Sequence, residues 1–198
     1  MVNQSATNTF RKRSYKFTEF AHDVFGLVPA LPNFTAVYAL PGRMDKRFRE
    51  KIMLSVSRMN DCRHCLAIHG AWSALAGLSG EDRAALHELD PADMDHRDWV
   101  ALEYARRVAA DAPAEPDLEA ELSALFTEKE IADIAAVARG INIANRCGNT
   151  WDAFLSRLQG RPAEGSSLAD EFLVLAPLAP FGPALLVLSK LLQKKYSG

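Results

Sequence analysis

Five residues within one short stretch carry the chemistry of this chain. Glu50, Cys62, His64, Cys65 and His69 stand as E-x11-C-x-H-C-x3-H in REKIMLSVSRMNDCRHCLAIHG. Two thiols three positions apart suit either redox cycling through a disulfide or metal ligation. On a helix beginning near Cys62, positions i, i+3 and i+7 share a face, so Cys62, Cys65 and His69 align while His64 points elsewhere. Only the thiolate attacks, and a place in the first helical turn beside a histidine lowers a thiol pKa toward neutrality. The helix dipole favours thiolate at Cys62, whereas i,i+4 proximity to His69 favours Cys65. Glu50 precedes this helix, and a chain reversal near Asn60 would bring its carboxylate to His69, orienting the ring and accepting charge.

The elements that must position these residues read as helices. Helical periodicity dominates, β-branched residues are sparse, and no stretch alternates as a strand bounded by turns, so the expected class is all-α. Phe48, Ile52, Met53 and Val56 place one apolar face on a helix over Arg47–Val56, and Asn60-Asp61 supplies the break before the cysteine helix, which stops at Gly77. Ser79 with Asp82, and Thr127 with Glu130, have capping-box spacing. Asp95–Ala110 and a helix from Pro116 toward Phe126 follow. Ile131–Leu158 is apolar on two sides, one at Ile131, Ile134, Ala138 and Ile141, the other at Val137, Ala144, Gly148, Trp151 and Leu155, which makes it the central helix. Asn142 and Asn145 fall near those stripes and read as buried amides in structural hydrogen bonds. Trp72, Trp99 and Trp151 follow helical stripes and read as core. Cys147 reads as a buried packing thiol, and His22, His87 and His96 as isolated side chains.

Residues 1–46, punctuated by Gly26, Pro29, Pro32, Pro41 and Gly42, form an amino-terminal arm with short helices near Phe17–Phe25 and Phe34–Leu40. Residues 47–160 form the helical domain. Residues 161–198 form a linker and an apolar tail in which Phe172–Ser189 runs 18 residues without a charge. That length invites a membrane span, but Pro177, Pro180, Gly182 and Pro183 would leave backbone groups that lipid cannot satisfy. A packed helical hairpin or an oligomer contact is the favoured reading over membrane contact.

The 198 residues, 48% apolar and 24% charged, suffice for one core and exclude disorder. With 23 Lys and Arg against 25 Asp and Glu, the net charge of −2 gives no global attraction for nucleic acid. Met1–Phe10 is polar and leads into Arg11-Lys12-Arg13 with no apolar run behind it, so a secretory signal is not expected and a cytoplasmic location is.

The five-residue motif resembles that of the alkylhydroperoxidase D family, the C-x-x-C branch of the carboxymuconolactone decarboxylase superfamily. The likeness continues through LEYARRVAADAP and LFTEKEIADIAAVARGINIANRCGNTWDAFL, covering Arg47–Leu158. The resemblance implies an antiparallel all-α bundle that reduces hydrogen or organic peroxides. It implies that Cys65, activated through His69 and Glu50, attacks peroxide and becomes a sulfenic acid, that Cys62 resolves it as a disulfide, and that His64 supports the proton network. It implies no bound cofactor or metal, an external dithiol donor such as a lipoyl domain or thioredoxin, and a homo-oligomer of two, three or six chains.

Three other readings accompany it. A C-x-x-C flanked by histidines suits zinc, although it needs a remote fourth ligand. Lactone decarboxylation shares the scaffold but uses acid–base residues without a C-x-x-C pair. A helical interaction protein with a redox-sensitive contact would use the apolar tail.

Overall fold

Short polar and glycine-containing breaks between amphipathic runs cut this chain into helices, and each break supplies its own cap. The computed structural model of the protein describes residues 12–179, 187 and 191, excepting the side chains of His87 and Glu88. Among them the regular structure is all helical: α1 (Phe17–Leu27), α2 (Leu31–Ala39), α3 (Lys46–Met59), α4 (Arg63–Leu75), α5 (Gly80–Glu88), α6 (His96–Ala110), α7 (Pro116–Leu125), α8 (Glu128–Leu158) and α9 (Leu168–Leu175). The Asp45 carboxylate caps α3 by accepting from the Phe48 N–H. Ser79 and Asp82 close a full capping box on α5, and Thr127 and Glu130 close another on α8, as their spacing predicts.

The 31-residue α8 is the axis. It packs against α1, α2, α3, α4, α6, α7 and α9, and its apolar stripe at Ile134, Val137, Ala138 and Ile141 joins Ile52, Val56, Val100, Leu102 and Ala105 in the main core. Of the second stripe read from its sequence, Val137 is buried, Gly148, Trp151 and Leu155 are half-buried, and Ala144 is exposed, so the first stripe alone forms a continuous core face. At Gly140 a Cβ would stand 2.4 Å from the Phe34 ring, so a larger residue there would force that ring of α2 to shift on α8.

Residues 12–45 run along α8 as a cover. Tyr15 is buried with Cys147 and Val174 in a second apolar cluster. The Arg43 guanidinium donates to both oxygens of buried Asp133, at 2.5 and 2.8 Å. Farther on, α9 is fastened to α8 by Arg157, which donates to both carboxylate oxygens of fully buried Glu171. No helix among the described residues is long and apolar enough to cross a membrane. Pro177 lies in a single 3-10 turn after α9. The hairpin expected around Pro180, Gly182 and Pro183 falls outside the described residues.

Candidate functional site

The break before α4 sets the geometry of the site. Asn60 closes α3, Asp61 takes a left-handed conformation (φ 49°), and Cys62 becomes the N-cap of α4, its sulfur accepting the Cys65 N–H at 3.3 Å. Cys62 therefore stands just ahead of the helix and Cys65 inside its first turn. Their Cα atoms are 5.4 Å apart and the two sulfurs are paired as a disulfide. Cys62 is fully buried, while Cys65 retains 8% exposure.

The reversal at Asn60 does what the spacing requires of it. It folds α4 back against α3, where His69 Nδ1 meets Glu50 Oε2 at 2.8 Å, both side chains being buried. The Arg49 guanidinium stands 3.8 Å from the other Glu50 oxygen. The edge of Trp72 packs on the His69 ring, with centroids 5.3 Å apart. Trp72 is 44% exposed, so it roofs the histidine rather than joining the core, a correction to its reading from periodicity.

His64 lies nearer the cysteines than a regular helix from Cys62 onward would place it. Because Cys62 sits at the cap with extended backbone, the strict i, i+3, i+7 face does not exclude His64 from the cysteines. Its Nε2 lies 2.9 Å from Asp152 Oδ1 on α8, and the same oxygen accepts from Arg63 at 2.6 Å. Lys12, from the arm, faces the other Asp152 oxygen at 3.5 Å and Asp61 at 3.7 Å. Burial alone would raise the Asp152 carboxyl, but hydrogen bonds from His64 and Arg63, with their charges, hold it below its ordinary value.

One turn before Asp152, Gly148 lets α8 touch the disulfide. A Cβ at this position would lie 3.0 Å from Cys62 Sγ and 3.9 Å from both Cys65 Sγ and the His64 Cδ2. The two sulfurs and the second imidazole thus converge on one bare patch of α8. Buried amides fix the register: Ser57 donates to Asn145 at 3.0 Å, Asn60 to Asn142 at 2.9 Å, and Asn149 to the Asn60 carbonyl at 2.7 Å. The structural role read for Asn142 and Asn145 is the one they have.

Asp152, Gly148 and Lys12 are the site residues that sequence reasoning missed. A lone aspartate near the end of an apolar stripe carries the only available signal, since an uncompensated buried carboxylate needs cationic partners. Cys147, next to Gly148, faces away into the Tyr15 cluster, and burial pushes its thiol up to about 12. His22 pairs with half-buried Asp23 and His96 with exposed Glu121, away from the cysteines. Among the described residues no group of three or more His, Cys, Asp or Glu side chains is arranged to hold a metal ion. A cleft of about 560 Å³ lined by Arg43, Phe48, Lys51, Arg97 and Phe126 contains none of the five candidate residues.

A scan against protein-family models finds no match, and searches of curated proteins and of solved structures find none either.

Proposed function

We propose that this chain is a thiol-dependent peroxidase of the alkylhydroperoxidase D type, reducing hydrogen or organic peroxides through the Cys62–Cys65 pair. The observation that carries this reading is the buried Glu50–His69 couple at 2.8 Å, which joins α3 to the helix that presents the paired cysteines. A carboxylate that fixes one imidazole nitrogen leaves the other available for proton transfer. Of the two sulfurs, Cys65 has the greater exposure and stands one helical turn from His69, which favours it as the attacking thiol. Its thiolate takes the distal peroxide oxygen, the O–O bond breaks, and the departing alkoxide or hydroxide leaves as alcohol or water with a proton from His69. Cys62 then displaces hydroxide from the sulfenic acid, and a dithiol donor such as a lipoyl domain or thioredoxin reduces the disulfide.

The resemblance also implies assembly. Phe25, Val28 and Leu31 near the junction of α1 and α2, and Leu168 and Phe172 on α9, are exposed apolar side chains of the kind that subunits cover. Zinc ligation fits less well, because Cys62, Cys65 and His69 come from one helix and its cap and would need a remote fourth ligand.

Sulfenic acid trapping tests the assignment. Cys62→Ser should yield a trappable sulfenic acid on Cys65 after peroxide, and Cys65→Ser little or none. The reverse pattern exchanges the roles, and its absence from both variants refutes the peroxidase reading.

A further inference from the structure

Beside the Glu50–His69 couple stands a guanidinium whose donors are unused. The Arg49 side chain is only 17% exposed, yet its Nε–H is buried without a hydrogen-bond partner. Its one ion pair among the described residues is the contact of 3.8 Å with Glu50 Oε1, too long for a hydrogen bond, while Glu50 Oε2 is committed to His69. What holds the group is the Tyr38 ring, whose centre lies 4.6 Å from the guanidinium carbon. An aromatic face steadies a guanidinium and consumes none of its N–H groups.

Withdrawing a guanidinium from water is costly unless its charge and its donors are both met. Glu50 answers the charge, but no side chain among the described residues accepts from the donors. The fork of an arginine matches the two oxygens of a planar oxyanion. With the Glu50 carboxylate so near, a single negative charge is better tolerated there than the two of a phosphate. The surroundings suit an apolar body: Tyr38 of α2 is 45% exposed and Trp72 of α4 44%, the first against Arg49 and the second against His69. Hydrogen peroxide requires neither an anion clamp nor aromatic walls.

We propose that Arg49 anchors the carboxylate of the substrate, which is a hydroperoxide of an apolar carboxylic acid. This deepens the thiol-peroxidase reading and rests on it. The carboxylate is held and leaves unchanged. Cys65 takes the distal peroxide oxygen and is oxidised to the sulfenic acid, the O–O bond breaks, and the departing alkoxide takes a proton from His69 and leaves as the hydroxy acid. Tyr38 and Trp72 flank the hydrocarbon chain above the Glu50–His69 couple. An Arg49 that merely held Glu50 in place would predict something different: its loss would slow every peroxide by the same factor. Loss of an anchor falls additionally on carboxylated substrates, so the ratio of rates for an acid and its ester divides out any damage to the couple.

The experiment uses the full-length chain in two arms. In the first, Cys65 oxidation is followed in single turnover with a medium-chain ω-hydroperoxy carboxylic acid and with its methyl ester. The parent should react with the acid at least about tenfold faster than with the ester. Arg49→Gln should bring that ratio to about one, and Arg49→Lys, which keeps the charge and loses the fork, should leave it between the two. A parent ratio near one, or a ratio that Arg49→Gln does not change, overturns the proposal and leaves the peroxidase reading standing. In the second arm, decanoate and decanol are titrated calorimetrically into the reduced protein with no peroxide present. Arg49→Gln should weaken decanoate binding at least about tenfold and decanol binding far less. Equal loss for both, or a parent with no preference for decanoate, sinks the anchor. If decanoate binding depends on Arg49 while no peroxide oxidises Cys65, the peroxidase reading fails and the carboxylate site stands without it.

Discussion

Glu50 and His69 lie nineteen residues apart and meet at 2.8 Å in a buried setting, where an oriented imidazole is worth far more than a free one. Glu50→Gln keeps the shape and removes the charge that stabilises the imidazolium. Oxidation of Cys65 by hydrogen peroxide, followed in single turnover, should slow by about 100-fold. A rate within a factor of two of the parent would remove Glu50 from the relay. Gly148 offers a purely steric test. In Gly148→Ala the added carbon meets a sulfur at 3.0 Å, an overpacking that costs about 1–3 kcal/mol, while alanine's better helix propensity returns about 1 kcal/mol. Thermal unfolding should register a net loss of about 1 kcal/mol, and disulfide closure should slow. A gain in stability would mean that the sulfurs give way freely.

At the level of the helices, the caps were legible because their chemistry is local. Ser79 lies within one turn of Asp82, and Thr127 within one turn of Glu130, and the two boxes they form depend on no distant contact. Thr127→Ala should cost about 1 kcal/mol in chemical denaturation at neutral pH. Hydrogen bonds from the Thr127 backbone and hydroxyl, ahead of the nearby Arg97 charge, hold the Glu130 carboxyl below its ordinary value. A lowered folded-state pKa contributes stability above the ordinary glutamate range of about 4.3, and that contribution fades as pH falls through the folded-state value. The stability difference between the parent and Glu130→Gln should therefore be present at neutral pH and vanish in acid; a difference that persists in acid would contradict it. The arm was less legible. Its prolines and glycines mark short helices, but nothing local reveals that Tyr15 is buried against α8 and donates to Asp23 at 2.7 Å under the Arg146 guanidinium. Burial and that carboxylate push the Tyr15 phenol far above its ordinary value. Tyr15→Ala should destabilise the fold by about 3 kcal/mol in denaturant titration, and a loss below the measurement error would mean the arm is only laid on the surface.

Across the whole molecule, what periodicity revealed was the helical class and the central place of α8, since both follow from apolar spacing within one element. What it hid was the pairing between elements. His64 read as turned away because a regular helix was assumed from Cys62 onward, whereas the cap geometry at Cys62 and the bare backbone at Gly148 bring that ring to the sulfurs. Asp152 was invisible for the same reason: its meaning comes from Lys12, Arg63 and His64, which lie 140, 89 and 88 residues away along the chain. Three segments, the arm, the α3–α4 turn and the late half of α8, therefore have to fold together before the cysteine pair has its full surroundings. The most direct test of the chemistry assigned to that assembly is to treat the fully reduced protein with one equivalent of hydrogen peroxide, quench with an alkylating reagent, and map the cysteines by peptide mass spectrometry. A rapid Cys62–Cys65 disulfide with Cys147 still free is the expected result; both motif thiols remaining alkylatable, even at excess organic peroxide, would contradict the peroxidase reading.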